Sequence, residues 1–155
     1  MLVFSLAITQ PVAAQSFKPN IAAGEAAYFE EDYATALKHS RPLAKQGNAD
    51  AQGYLGVMYS NGAGVTQDYK EAVKWYRKAS VQGNADAQYS LCTMYRDGHG
   101  VVQDLVMAYV WCNVASALGR NGPGMLRDET HEKLNIPERK LALKLSKLCL
   151  KNPVK

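Results

Sequence analysis

Apolar side chains return along this chain at helical intervals, and the pattern itself repeats. From Ala51 they recur at Leu55, Met58 and Tyr59, the i, i+4, i+7, i+8 spacing that lines one face of a helix. Ala72, Trp75, Tyr76 and Ala79 form a second such stripe, and the polar, glycine-bearing stretch "SNGAGV" separates the two. Shifting the chain by 36 residues lays Leu55 on Leu91, Met58 on Met94, Tyr59 on Tyr95, Trp75 on Trp111 and Ala79 on Ala115. The glycines at 62 and 64 fall on those at 98 and 100, and the hexamer "GNADAQ" stands at both Gly47 and Gly83. Repetition at such a period marks stacked supersecondary units, each unable to bury its apolar face alone.

Each unit reads as helix, glycine loop, helix. Gly47 and Gly83 suit the left-handed position that ends a helix. Asn48 and Asn84 suit the cap of the next one, and Asp50 and Asp86 lie in its first turn, where the helix dipole favours negative charge. The small residues Gly56 and Ala72 would let the paired helices approach, with the rings of Tyr59 and Trp75 filling the flanks; Trp75 and Trp111 are expected to be mostly buried at equivalent places. An altered copy lies upstream: Asp32, Tyr33, Ala36, Gln46 and Gly47 match Asp68, Tyr69, Ala72, Gln82 and Gly83. Its loop is shorter, because Gly24 precedes Ala36 by 12 residues where Gly56 precedes Ala72 by 16. The expected fold is all-α, an α-solenoid of stacked antiparallel helix pairs. Its divisions fall at 15–48, 49–84 and 85–120, with a C-terminal helical cap over 121–155.

The run "ADAQGYLGVMYSNGAGVTQDYKEAVKWYRKASVQGN" resembles a Sel-one-like repeat of the tetratricopeptide superfamily. The resemblance rests on A-x-A-Q-x-x-L-G-x-M-Y, G-x-G-V, D-Y-x-x-A and W-Y-x-x-A, and covers two full units from Ala49 to Gly119. Cys92 departs from the usual small residue and Leu105 from the usual aromatic. The resemblance implies a right-handed superhelix whose first helices line a concave groove that holds a partner segment. Carried over residue by residue, the groove positions are Ile21, Glu25 and Tyr28 in the first unit. The second unit contributes Gly53, Val57, Ser60 and Asn61, and the third Tyr89, Thr93, Arg96 and Asp97. Family members of this kind imply a non-enzymatic adaptor with a protein or peptide partner.

Beyond Gly119 the repeat fades into two helices around Met125 to Leu134 and Pro137 to Leu150. Leu141, Leu145 and Leu148 are expected to form an apolar stripe on the last, with Lys140, Lys144, Lys147 and Lys151 opposite. Charge sharpens this picture. The chain carries +4 overall, but from Lys133 onward seven basic residues face only Glu138, leaving that end at +6 and the rest near −2. A basic helical face is ordinarily solvated, with weak contact to an anionic surface as the alternative. No aromatic residues interleave with it, which argues against nucleic acid. At the other end, "MLVFSLAITQPVAAQ" is uncharged, has a short apolar run and places Val12 and Ala14 before a cleavage site. Residues 1–14 read as a signal peptide with an incomplete basic start, too short to span a bilayer, so a periplasmic or secreted protein is expected.

Candidate chemistry changes little. His39, His99 and His131 are scattered, and "HEKLN" lacks the second histidine of a zinc protease motif. Asp97 and His99 read as loop residues rather than metal ligands. No Ser-x-x-Lys triplet supports serine acylation, and the glycine loops lack the lysine of a phosphate cradle. Neither a cofactor nor a metal is expected. Of the three cysteines, Cys92 and Cys112 fall on inward stripes as small core residues and Cys149 near the chain's end. A Cys92–Cys112 or Cys112–Cys149 bridge stays open, since only Cα separation decides it. The reading is therefore an exported bacterial adaptor. The alternatives are an envelope enzyme or ligand-binding protein acting on cell-wall material, a periplasmic immunity protein that neutralises a secreted toxin, or a stiffening module.

Overall fold

A computed structural model describes residues 17–120 and 122–151 of the 155-residue chain. The proposed signal peptide lies outside the described residues. Among the described residues eight helices follow in order: α1 (Ile21–Phe29), α2 (Tyr33–Lys45), α3 (Ala49–Asn61), α4 (Tyr69–Ser80), α5 (Ala85–Asp97), α6 (Leu105–Ala117), α7 (Pro123–Lys133) and α8 (Ile136–Lys151). No strand occurs among the described residues. Neighbouring helices pack as antiparallel pairs, α1 with α2, α3 with α4 and α5 with α6, and the pairs stack through α2 on α3 and α4 on α5.

Caps divide the helices by kind. Asn20, Asn48 and Asn84 cap the first helix of each unit, and Asp32, Asp68 and Asp104 cap the second. Each side-chain oxygen accepts a backbone N–H that would otherwise lack a partner, worth about 0.5–2 kcal/mol per helix. The glycine loops are equally specific. Gly62 and Gly98 end α3 and α5 in the left-handed region, at φ 69° and 73°. Gln67 and Gln103 then donate to the carbonyls of Ser60 and Arg96 at the helix ends. Gly64 and Gly100 press on the preceding unit: a Cβ at Gly100 would sit 2.3 Å from the Tyr69 carbonyl oxygen, and one at Gly64 would sit 2.7 Å from Tyr33 Cβ. The second loop glycine of one unit and the tyrosine opening the second helix of the unit before it are thus one contact.

Inside the second unit the close approach at Gly56 is filled by the ring of Tyr76. A Cβ on Gly56 would lie 2.5 Å from the Tyr76 ring, which is 3% exposed. Trp75 and Trp111 sit at equivalent places but are only half-buried. Their rings work between units: Trp75 packs on the cluster of Ala51, Leu55 and Met58 shared with the first unit, and Trp111 on that of Leu91 and Met94. One edge of each ring therefore stays at the seam.

In the third unit Cys92 and Cys112 occupy the positions of Gly56 and Tyr76, 36 residues on, and they form a disulfide with Cα atoms 5.2 Å apart. The two residues are core, as their stripes imply, but they are not inert thiols. Where the second unit brings its helices together by seating a ring on a glycine, the third does so covalently. Leu126 from α7 covers the bridge. Cys149 is free and exposed.

The last helix turns small residues inward. Ala142 and Ser146 are its buried residues, packed by Ala142 with Tyr109 and Leu134, while Leu141 and Leu148 are each 48% exposed. The reason is the partner: α8 packs on α6, and small side chains allow that approach. The lysine row at 140, 144, 147 and 151 is exposed and flanked by leucines on both sides.

Candidate partner-binding groove

The first helices α1, α3 and α5 run side by side, and between them lies a cavity of about 490 Å³. Ile21, Glu25, Tyr28 and Phe29 from α1 form one wall; Asp50, Gly53, Tyr54 and Val57 from α3 form the floor. Asp86, Ala87 and Ser90 of α5, the α5 cap Asn84 and Arg120 after α6 close the other side, and Tyr76 reaches in from α4. Helical spacing explains the selection. On α3 the buried Ala51, Leu55 and Met58 turn towards α2 and α4, which leaves Asp50, Gly53, Tyr54 and Val57 on the opposite face.

Of the residues expected in the groove, Ile21, Glu25, Tyr28, Gly53 and Val57 line this cavity. Ser60 is buried, with its hydroxyl bonded to the Val57 carbonyl and 3.2 Å from the Tyr76 hydroxyl. Asn61 donates to the Tyr28 hydroxyl at 3.0 Å and so braces that ring across the first two units. Tyr89 is half-buried under the Arg120 guanidinium, 4.3 Å from its ring centroid. Thr93 is half-buried and donates to the Ser90 carbonyl. Arg96 and Asp97 pair with one another at 2.6 Å near the end of α5, away from the cavity lining. Hydrogen bonding to Asp97 holds the Arg96 guanidinium above its ordinary value, and the same bond holds the Asp97 carboxyl below the usual carboxylate range.

Sequence reasoning missed Tyr54, Asp50, Asp86, Asn84 and Arg120. Tyr54 stands among three carboxylates. Burial pushes its hydroxyl above the ordinary phenol value, a hydrogen bond to Glu25 adds to this, and the charges of Glu25, Asp86 and Asp50 contribute further. Asp50 accepts from the Asn84 amide at 2.9 Å, and Asp86 meets Arg120 Nε at 2.6 Å. The signal for Asp50 and Asp86 lies in the repeated "GNADAQ", whose aspartate lines the cavity in both units besides standing in the first turn of its helix.

The histidines have neighbours that account for them. His39 Nδ1 accepts the Asn20 N–H, His99 stacks on Tyr69, and His131 lies against Tyr109. Among the described residues, no three His, Cys, Asp or Glu side chains gather in a metal-binding group. Likewise, no helix among them is long and apolar enough to cross a membrane.

Comparison with known families matches the Sel1 repeat at residues 49–84 and 85–119, the two units with full glycine loops. The chain contains two Sel1 repeats. It is similar to a protective antigen present in uropathogenic Escherichia coli strains that displays an SLR fold, with 32% identity and a TM-score of 0.80. That likeness covers 84% of this chain and 29% of the antigen. A Sel1 repeat protein from Oxalobacter formigenes is 27% identical, with a TM-score of 0.69 over 82% of this chain and 54% of that one. This Sel1-repeat chain thus spans under two thirds of either relative. A comparison with curated proteins finds no match. Sel1 repeats are in general scaffolds for protein interaction and typically non-enzymatic.

Proposed function

We propose that this protein is an exported adaptor of the bacterial envelope that binds a segment of another protein between α1, α3 and α5. The observation that carries the reading is the cavity of about 490 Å³ on the first-helix face, within the size range of a specific binding site. Its aromatic lining, Tyr28, Phe29, Tyr54 and Tyr76, is of residue types enriched at protein interfaces. Phe29 is 72% exposed, so its identity owes nothing to the core. Two features support export: the apolar run at the start of the chain and the buried Cys92–Cys112 disulfide, a bond that persists in oxidising compartments.

The test compares capture of envelope proteins by the native chain, by Val57→Arg and by the Lys144→Ala/Lys147→Ala double variant. Val57→Arg puts a long cation on the cavity floor and should remove specific capture, whereas the lysine variant should retain it. Loss with the lysine variant alone would move the working surface to α8 and make its partner anionic. Fractionation of cells expressing the chain from its full upstream region tests localisation. Recovery in the cytosol with Met1 intact would refute export.

A further inference from the structure

The partner's chemistry can be taken further by comparing one repeat with the next. In the third unit Arg120 lies across the Tyr89 ring and pairs with Asp86. Thirty-six residues earlier the same three places are held by Asn84, Gly53 and Asp50. The geometry is preserved while the side chains are cut back. Asn84 donates to Asp50 just as Arg120 pairs with Asp86, and a Cβ built on Gly53 would lie 3.6 Å from the Asn84 side chain. Replacing an arginine by asparagine and a tyrosine by glycine leaves room, and Gly53 and Asn84 both line the cavity.

What borders that room suits a cation. Among the described residues, four charged ones line the cavity: Glu25, Asp50 and Asp86 are acidic and Arg120 is basic, in a chain whose total is +4. Arg120 answers Asp86; Glu25 and Asp50 are met instead by neutral donors, the Tyr54 hydroxyl and the Asn84 amide. The rings of Tyr28 and Tyr54 stand 6.2 Å apart beside them. Aromatic faces next to carboxylates attract guanidinium and ammonium groups, and the attraction grows as water is excluded.

We propose that the cavity receives an arginine or lysine side chain of the partner segment, held by Glu25 and Asp50 against Tyr28 and Tyr54 as Arg120 is held by Asp86 and Tyr89. This rests on the groove reading above and names its ligand: a basic peptide segment.

A random heptapeptide phage library panned against the full chain tests both levels. Enriched peptides are resynthesised as found, with arginine replaced by citrulline or lysine by acetyl-lysine, and titrated against the native chain. The neutral replacement should weaken binding about tenfold, the scale of one charged hydrogen bond. Glu25→Gln/Asp50→Asn should weaken the parent peptide at least as much and leave the neutral peptide nearly unaffected. Because the citrulline and acetyl-lysine comparison uses the native chain, it stands even if the double variant folds poorly. Peptides that lose binding in Val57→Arg but carry no basic residue, or that tolerate its neutralisation, would overturn the cation proposal and leave the groove reading intact. Enrichment only of peptides indifferent to Val57→Arg, or of none, would overturn both.

Discussion

Reducing the Cys92–Cys112 bridge changes no side-chain identity, so its effect isolates the cross-link. The bridged residues are 20 apart, and closing a loop of that size in the unfolded chain corresponds to about 3 kcal/mol at 25 °C. Both sulfurs belong to residues that are 0% exposed. After reduction the thiols remain buried as small apolar groups, so little native packing is lost. That leaves the unfolded-state constraint as the main term. The protein is unfolded in urea, reduced, refolded with reductant and compared with the oxidised form by circular dichroism. With an m-value of about 1–3 kcal/mol/M, the midpoint should fall by about 1–3 M. Thiol titration in denaturant should find one reactive cysteine, Cys149, in the oxidised protein. A midpoint shift below about 0.3 M would refute the entropic reasoning, since even a steep m-value would then put the bridge near about 1 kcal/mol or less. Three reactive thiols in protein recovered from an oxidising compartment would refute the bridge itself.

Two loop glycines separate backbone strain from contact. Gly83→Ala, at φ 88° with open space around it, should cost about 1–2 kcal/mol, whereas Gly100→Ala also strikes the Tyr69 backbone and should cost about 1–3 kcal/mol more in the same melts. Equal losses would mean the contact between successive units is not made. Gly56→Ala should cost about 1–3 kcal/mol by overpacking the Tyr76 ring, and a neutral result would show that the ring is free to move. Asp97, whose folded pKa is lowered by Arg96, should stabilise at neutral pH. That contribution fades as pH falls through the folded value, below the usual carboxylate range. The pair is about one third exposed, so Asp97→Asn should remove under about 1 kcal/mol at pH 7 and progressively less as pH falls below the usual carboxylate range; a loss that does not diminish in acid would contradict an ion pair.

Much of the architecture was legible because it is local and repeated. Gly47 and Gly83 adopt positive φ, and Asn48 and Asn84 cap α3 and α5, because turn and cap chemistry depends on a few adjacent residues. The same stripes that brought Leu55 and Met58 into the core also left Gly53 and Val57 on the groove face. Choices among equally apolar residues were not legible. Tyr76 covers Gly56, and Ala142, rather than Leu141, faces inward on α8, because each follows from how closely a particular neighbour approaches. The disulfide was within reach of the repeat register, which lays Cys92 and Cys112 on Gly56 and Tyr76. That those two positions touch, however, is a property of paired helices rather than of spacing along the chain. The acidic lining of the groove joins Glu25, Asp50 and Asp86 from three units. Periodicity placed each on a helix, but only stacking the helices brought their charges around one Tyr54.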